Sequence, residues 1–212
     1  MSYPQIFSVS PHEKPIIQRA IDASNTLFAC ATTEKEQVVV TRRHHRGWEC
    51  INDESETFLF GQENGRYSNI WPSSFEHSSR KDLLHLFQLL FKKGDSELKK
   101  IDVLRNKNFT LEDPRIKVSK YFKQNENKIV CGEHVDYGLI TLIISDANQQ
   151  LEFEQDGKWK AICNSELFHF IVLTGNQMEE MTGGSLRAIK HQVVGNSSQE
   201  RLSFSLFLDM VE

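Results

Sequence analysis

Residues 132–143 read GEHVDYGLITLI, a short polar segment running straight into an apolar, β-branched one. In a strand, residues i and i+2 share a face, so His134 and Asp136 are expected to project to the same side. A carboxylate and an imidazole beside a buried run are costly unless they are paired or bound to a metal. The fold and the chemistry of this chain both turn on what those two side chains face.

Working outward, the chain after Pro114 reads almost wholly as β. The segments RIKVSKYF, GLITLIIS, QLEFEQDGKWKAI, FHFIVLTG, LRAIKHQVV and RLSFSLFLDM are strand candidates separated by polar or Gly-containing turns. Asp156-Gly157 marks a hairpin between LEFEQ and KWKAI. Before Pro114, KPIIQRAIDASNTLFA (14–29) carries apolar residues at helical spacing, and residues 80–104 give a longer helical stretch in which Gly94 reads as a stop or kink. EQVVVTRRHHRGWECI and ESETFLFG read as short strands between the helices. Helices first and a dense β region second predict an α+β, mainly β fold built on a sandwich or barrel. No internal repeat or low-complexity segment is visible.

His191, in AIKHQVV, is a further polar residue in a β context. Two imidazoles and one carboxylate can occupy one face of an octahedral iron(II) and leave positions open. The competing reading of each histidine alone is a hydrogen-bonded core residue. In ERLSFSLFLDM, Leu202, Phe204, Leu206 and Leu208 form one face, while Arg201, Ser203 and Ser205 fall on the other. The turn VVGNSSQE suggests an antiparallel hairpin joining this strand to that of His191, so Arg201 and Ser203 are expected to line the same interior. An interior guanidinium needs an anion, and its fork suits a carboxylate. A structural ion pair, for instance with Glu152, is the alternative.

H-V-D-Y-G-L-I-T-L-I, T-G-G-S-L-R-A-I-K-H-Q-V-V and R-L-S together resemble the iron(II)/2-oxoglutarate oxygenases of the isopenicillin N synthase type. The resemblance covers about residues 20–210, and its C-terminal motifs are the specific ones. It implies a double-stranded β-helix, or jelly roll, with flanking N-terminal helices. It implies a single oxygenase domain over 1–212, helix-rich over 1–110, with the jelly-roll core and iron site in 111–212. His134, Asp136 and His191 are then the implied iron(II) ligands, and Arg201 and Ser203 the implied grip on the far carboxylate of 2-oxoglutarate. V-S-K-Y-F resembles the family's N-x-Y-P, which brings Tyr121 to the cosubstrate. The implied activity is oxidation of an unactivated C–H bond of a small molecule (hydroxylation, desaturation or cyclisation), with dioxygen consumed and 2-oxoglutarate decarboxylated to succinate. An oxidase that needs no 2-oxoglutarate and a catalytically silent binding protein are the other two readings. The pattern departs from the family at Ser119, Phe122, Asn176 and Gln192. The family's opening strand and part of its first helix have no counterpart that the residues reveal, which would leave the substrate mouth more open.

Composition bounds the remaining function classes. A formal net charge of −4 argues against a protein that coats nucleic acid or an acidic membrane. No signal peptide and no apolar run of membrane-spanning length is visible. Cys30, Cys50, Cys131 and Cys163 are scattered without a CxxC, so all four are expected as reduced thiols in a cytoplasmic protein. The sequons at Asn108 and Asn196 carry no weight without secretion. No obligate protein partner is called for. RRHHR (42–46) is read first as a solvated basic loop and second as a receiver for an acidic substrate. His169 reads as a satisfied histidine, Cys131 and Cys163 as small hydrophobes, and Trp48, Trp71 and Trp159 as packing residues.

Overall fold

The computed structural model describes residues 4–41, 44–51, 53–105, 109–125, 128–145, 150–162, 168–195 and 199–211. Its elements in chain order are β1 (Gln5–Ser8), α1 (Lys14–Ala29), α2 (Thr32–Lys35), a 3-10 turn (Glu36–Val38), β2 (Gly47–Ile51), β3 (Ser55–Gly61), α3 (His77–Lys99), α4 (Asp102–Arg105), β4 (Leu111–Tyr121), β5 (Ile129–His134), β6 (Ile140–Ser145), β7 (Leu151–Gln155), β8 (Lys158–Ala161), β9 (His169–Thr174), α5 (Asn176–Met181), β10 (His191–Val194) and β11 (Arg201–Met210). The strands form a seven-stranded sheet, ordered β1-β9-β6-β11-β4-β3-β2, and a four-stranded sheet, ordered β5-β10-β7-β8. Every pairing between these strands is antiparallel. The two sheets form the expected jelly roll.

Strand alternation gives the large sheet two different faces. Phe58, Phe60, Ile116, Val118, Leu142, Phe170, Phe204 and Leu206 point one way and pack with Ile17 and Leu27 of α1 and Leu83, Leu86 and Leu90 of α3. The other face turns toward the small sheet. There Ile143, Ile171 and Leu173 meet Val130, Leu151 and Val193 in a second, smaller core. The polar residues of the same face lie beside this second core, between the sheets.

Several expectations change against this frame. The opening residues do form a strand, β1, paired in register with β9 at the edge of the large sheet. Helix α3 runs through Gly94 without stopping; a Cβ there would stand 2.6 Å from Leu208 Cδ1, so the glycine permits close packing of helix on sheet. Among the described residues of EQVVVTRRHHRGWECI, only Gly47–Ile51 is a strand, and the 3-10 turn occupies Glu36–Val38. Strand β10 is short and starts at His191. It pairs with β5 and β7, whereas β11 pairs with β4 and β6. The expected β10–β11 hairpin is therefore absent: the chain crosses from one sheet to the other between these strands. The β7–β8 hairpin is as expected, with positive φ at Asp156 (54°) and Gly157 (72°).

Candidate functional site

Strand β5 ends at His134, and β10 begins at His191, its direct cross-strand partner. Opposed residues share a face, and here the two imidazole centroids are 4.2 Å apart. Asp136 lies just past the end of β5, not on the strand, in the bend that leads into β6. Its carboxylate still reaches both rings: His134 Nε2 is 3.8 Å from Oδ1 and His191 Nε2 is 3.8 Å from Oδ2. One ligand atom from each of the three residues lies within 4.8 Å of the other two, the only such set among the described residues.

The surroundings prepare these groups as ligands. His134 Nδ1 donates to Gly132 O at 2.8 Å, and His191 Nδ1 donates to Ile189 O at 3.0 Å. Each bond fixes the tautomer that leaves Nε2 for a metal. Thr141 Oγ1 donates to Asp136 Oδ2 and holds the carboxylate from the large sheet. Burial pushes His191 below its ordinary pKa, which keeps the ring neutral near pH 7. His134 is pushed up to about 9, first by the Cys131 thiol, 4.0 Å from Nδ1, and then by the Gly132 carbonyl and nearby charges. The donor set, two neutral-capable imidazoles held by backbone carbonyls and one carboxylate held by Thr141, fits a divalent transition metal.

Arg201 and Ser203 lie on the inward face of β11 and are 4% and 5% exposed. Arg201 Nε donates to Ser145 Oγ at 2.9 Å, and its guanidinium lies 5.2 Å from the Tyr121 ring centroid. Register places Arg201 opposite Tyr121, Ser203 opposite Ser119 and Ser205 opposite Lys117 on β4. On the other flank, Phe207 of β11 stands opposite Thr141 of β6. All of these residues line one cavity with His134, Asp136 and His191. Every site residue singled out in the sequence is therefore in one place. Burial pushes the Tyr121 phenol above its ordinary pKa, so it faces the cavity protonated. Glu152, the alternative partner for Arg201, accepts a hydrogen bond from Gln192 Nε2 at 2.8 Å.

Comparison with known proteins agrees with this geometry. The model of the 2OG-Fe(II) oxygenase superfamily matches residues 114–209. Over those residues the chain is similar to that superfamily. Among curated relatives, 1-aminocyclopropane-1-carboxylate oxidase 1 of Arabidopsis thaliana is 35% identical over 94 residues, 43% of this chain and 30% of the oxidase. The 2-oxoglutarate-dependent dioxygenase traH of Penicillium crustosum is 24% identical over 77% of this chain and 56% of its own length. The chain thus spans only part of these relatives. A Neurospora crassa protein solved with alpha-KG and 5-formyluracil superposes with a TM-score of 0.84 at 19% identity, over 97% of this chain and 73% of that one. The Arabidopsis thaliana dioxygenase for auxin oxidation 1 gives 0.80 at 14% identity, over 98% and 84%. These likenesses carry the fold.

Other sequence readings resolve differently. RRHHR is not one solvated loop: Arg46 is fully buried and donates to Asp113 Oδ1 at 2.6 Å. His45 is exposed, and Arg42 and Arg43 lie outside the described residues. His169 is buried on β9. Trp71 packs on Phe58, Phe60 and Phe75. No disulfide joins Cys30, Cys50 and Cys131; Cys163 lies outside the described residues. Sequence reasoning missed Lys117, Thr141 and Ser145, all on the cavity face of a strand. The strand period was the signal that could have found them: Lys117 precedes Tyr121 by four residues and Thr141 precedes Ser145 by four.

Proposed function

We propose that this chain is an iron(II)- and 2-oxoglutarate-dependent dioxygenase acting on a small molecule. The observation that carries the reading is the convergence of His134, Asp136 and His191 within 4.8 Å, in the cavity that Arg201 also lines. When bound, iron and 2-oxoglutarate supply the oxidising chemistry: dioxygen and the keto acid are converted to succinate and carbon dioxide, and one oxygen atom goes to a substrate C–H bond. The chain's residues hold and orient. Both imidazoles keep their Nδ1 protons on backbone carbonyls and offer Nε2. Asp136 supplies the anionic ligand, oriented by Thr141. Arg201 and Ser203 offer charge-assisted donors to the far carboxylate, and Tyr121 backs the guanidinium. The buried floor at His191 and Arg201 excludes water, while His134 is half exposed at the open end, where a substrate would approach.

The test is titration of 2-oxoglutarate into the anaerobic iron(II) protein, followed by its visible charge-transfer band. Removing one partner of a buried charged pair costs about 3–5 kcal/mol, so Arg201→Ala should weaken binding by roughly two to three orders of magnitude. Lys at this position keeps the charge but not the fork, and should recover part of the loss. Iron content should be unchanged in both variants and should be lost in His134→Ala, Asp136→Ala and His191→Ala. A wild-type protein that holds iron but takes no 2-oxoglutarate would instead be an oxidase drawing its electrons from substrate.

A further inference from the structure

We propose that Lys117 anchors an anionic group, a carboxylate in the first instance, of the primary substrate. The inference rests on the oxygenase reading above. Lys117 is on β4, on the same inward face as Ser119 and Tyr121, and lines the cavity with the three histidine and aspartate ligands. Register sets it opposite Ser205, four residues along β11 from Arg201. At ~3.3 Å per residue the two cations are separated by about 13 Å along the sheet. Arg201 stands at the end of β11 remote from the metal ligands, while the Thr141–Phe207 pair that carries the Asp136 contact lies beyond Lys117. Lys117 thus stands between the 2-oxoglutarate grip and the ligands, on the flank of β11 away from β6.

Charge balance gives the residue its role. Among the described residues lining the cavity, Asp136 brings one negative charge, and Lys117 and Arg201 bring one positive charge each. A divalent ion and the 2-oxoglutarate dianion would bring equal and opposite charge, so the excess of cationic over carboxylate side chains in this lining would remain. The Lys117 ammonium has no ion-pair or hydrogen-bond partner among the described residues. Lys117 is partly buried in the cavity wall, and a substrate carboxylate in the same cavity would give its ammonium a charge-assisted partner. A neutral substrate would offer only the weaker, uncharged acceptor. Lys117 therefore selects for acids over their uncharged analogues.

The test uses matched pairs of small carboxylic acids and their primary amides, for example phenylacetate with phenylacetamide and indole-3-acetate with indole-3-acetamide. Each is titrated calorimetrically into the anaerobic iron(II)–2-oxoglutarate protein. At least one acid should bind wild type on the order of tenfold or more tightly than its amide, as expected for a hydrogen bond to a charged group. Lys117→Met should lose that preference, and Lys117→Arg should keep it. Iron content and 2-oxoglutarate affinity should stay within about twofold of wild type in both, which separates this site from Arg201. The proposal is overturned if no acid in the panel is preferred to its amide, or if Lys117→Met keeps the preference. It is also overturned if Lys117→Met weakens 2-oxoglutarate as Arg201→Ala does, because the lysine would then serve the cosubstrate. Wild-type protein that takes up neither iron nor 2-oxoglutarate would overturn the oxygenase reading itself.

Discussion

At the scale of single residues, the candidate metal ligands are oriented by groups that would not touch a metal. Thr141 fixes Asp136 from the facing sheet. Thr141→Val keeps the shape and removes the donor, and loss of a hydrogen bond that orients a metal-ligating carboxylate typically costs about 10–100-fold in metal affinity. A chelator competition with zinc should show a loss of at least roughly tenfold, and an unchanged affinity would remove Thr141 from the site's machinery. Protons compete for His134. Its pKa of about 9, raised first by Cys131, means the ring is charged at neutral pH and must lose a proton to ligate through Nε2. The sign follows: affinity for a divalent ion rises with pH up to about 9 and then levels off. His191, shifted downward, adds no proton release above neutral pH. Zinc titration at pH 7.5 in two buffers of different ionisation enthalpy should report release of close to one proton from His134, and Cys131→Ala should reduce it. A proton count near zero in wild type would show that His134 is already neutral.

At the scale of elements, β11 shows how one strand serves two purposes through its period of two. Leu202, Phe204, Leu206 and Leu208 are at most 3% exposed on the helix side, while Arg201, Ser203 and Ser205 line the cavity. Phe204→Ala should cost about 3–5 kcal/mol in urea denaturation, with iron content unchanged at low denaturant. A cost below about 1 kcal/mol would mean that the helix-facing core closes over the gap. The same periodicity is why so much of the candidate site is legible: faces follow from sequence parity, and Arg201 and Ser203 do line one cavity with His134, Asp136 and His191. Pairing does not follow from parity. A hairpin and a crossover both leave Arg201 on the cavity side with His191, and nothing in VVGNSSQE distinguishes them. Gly94 was misread for a related reason, because its role is to let Leu208 approach from another element. The short edge strand β1 depends on β9, far away in sequence, for its hydrogen bonds. Arg46 was read as part of a basic loop, and only tertiary contact with Asp113 buries it.

At the scale of the whole molecule, the two sheets are joined unequally. The large sheet rests on the extensive core shared with α1 and α3, whereas the small sheet is held to it through the smaller cluster around Val130, Ile143, Leu151 and Val193. His134 and His191 belong to the small sheet, and Asp136 is tied by Thr141 to the large one. A metal ion bound by all three would bridge the sheets where the apolar contact is least. 2-Oxoglutarate, reaching from that ion to Arg201, would add a second bridge. A ligand at a hundred times its dissociation constant stabilises the native state by ~2.7 kcal/mol. For a chain of this size that corresponds to a rise in melting temperature of roughly 5–10 °C, at ~2–4 °C per kcal/mol. Zinc, used as a redox-inert probe, should therefore raise the melting temperature measured by calorimetry, and 2-oxoglutarate should raise it further only when zinc is present. Arg201→Ala should keep the first increment and lose the second. Asp136→Ala should lose both, because the cosubstrate depends on the ion for one of its ends. If 2-oxoglutarate stabilises the metal-free protein as strongly as the zinc form, the two ligands act independently and the bridge from metal to Arg201 is wrong.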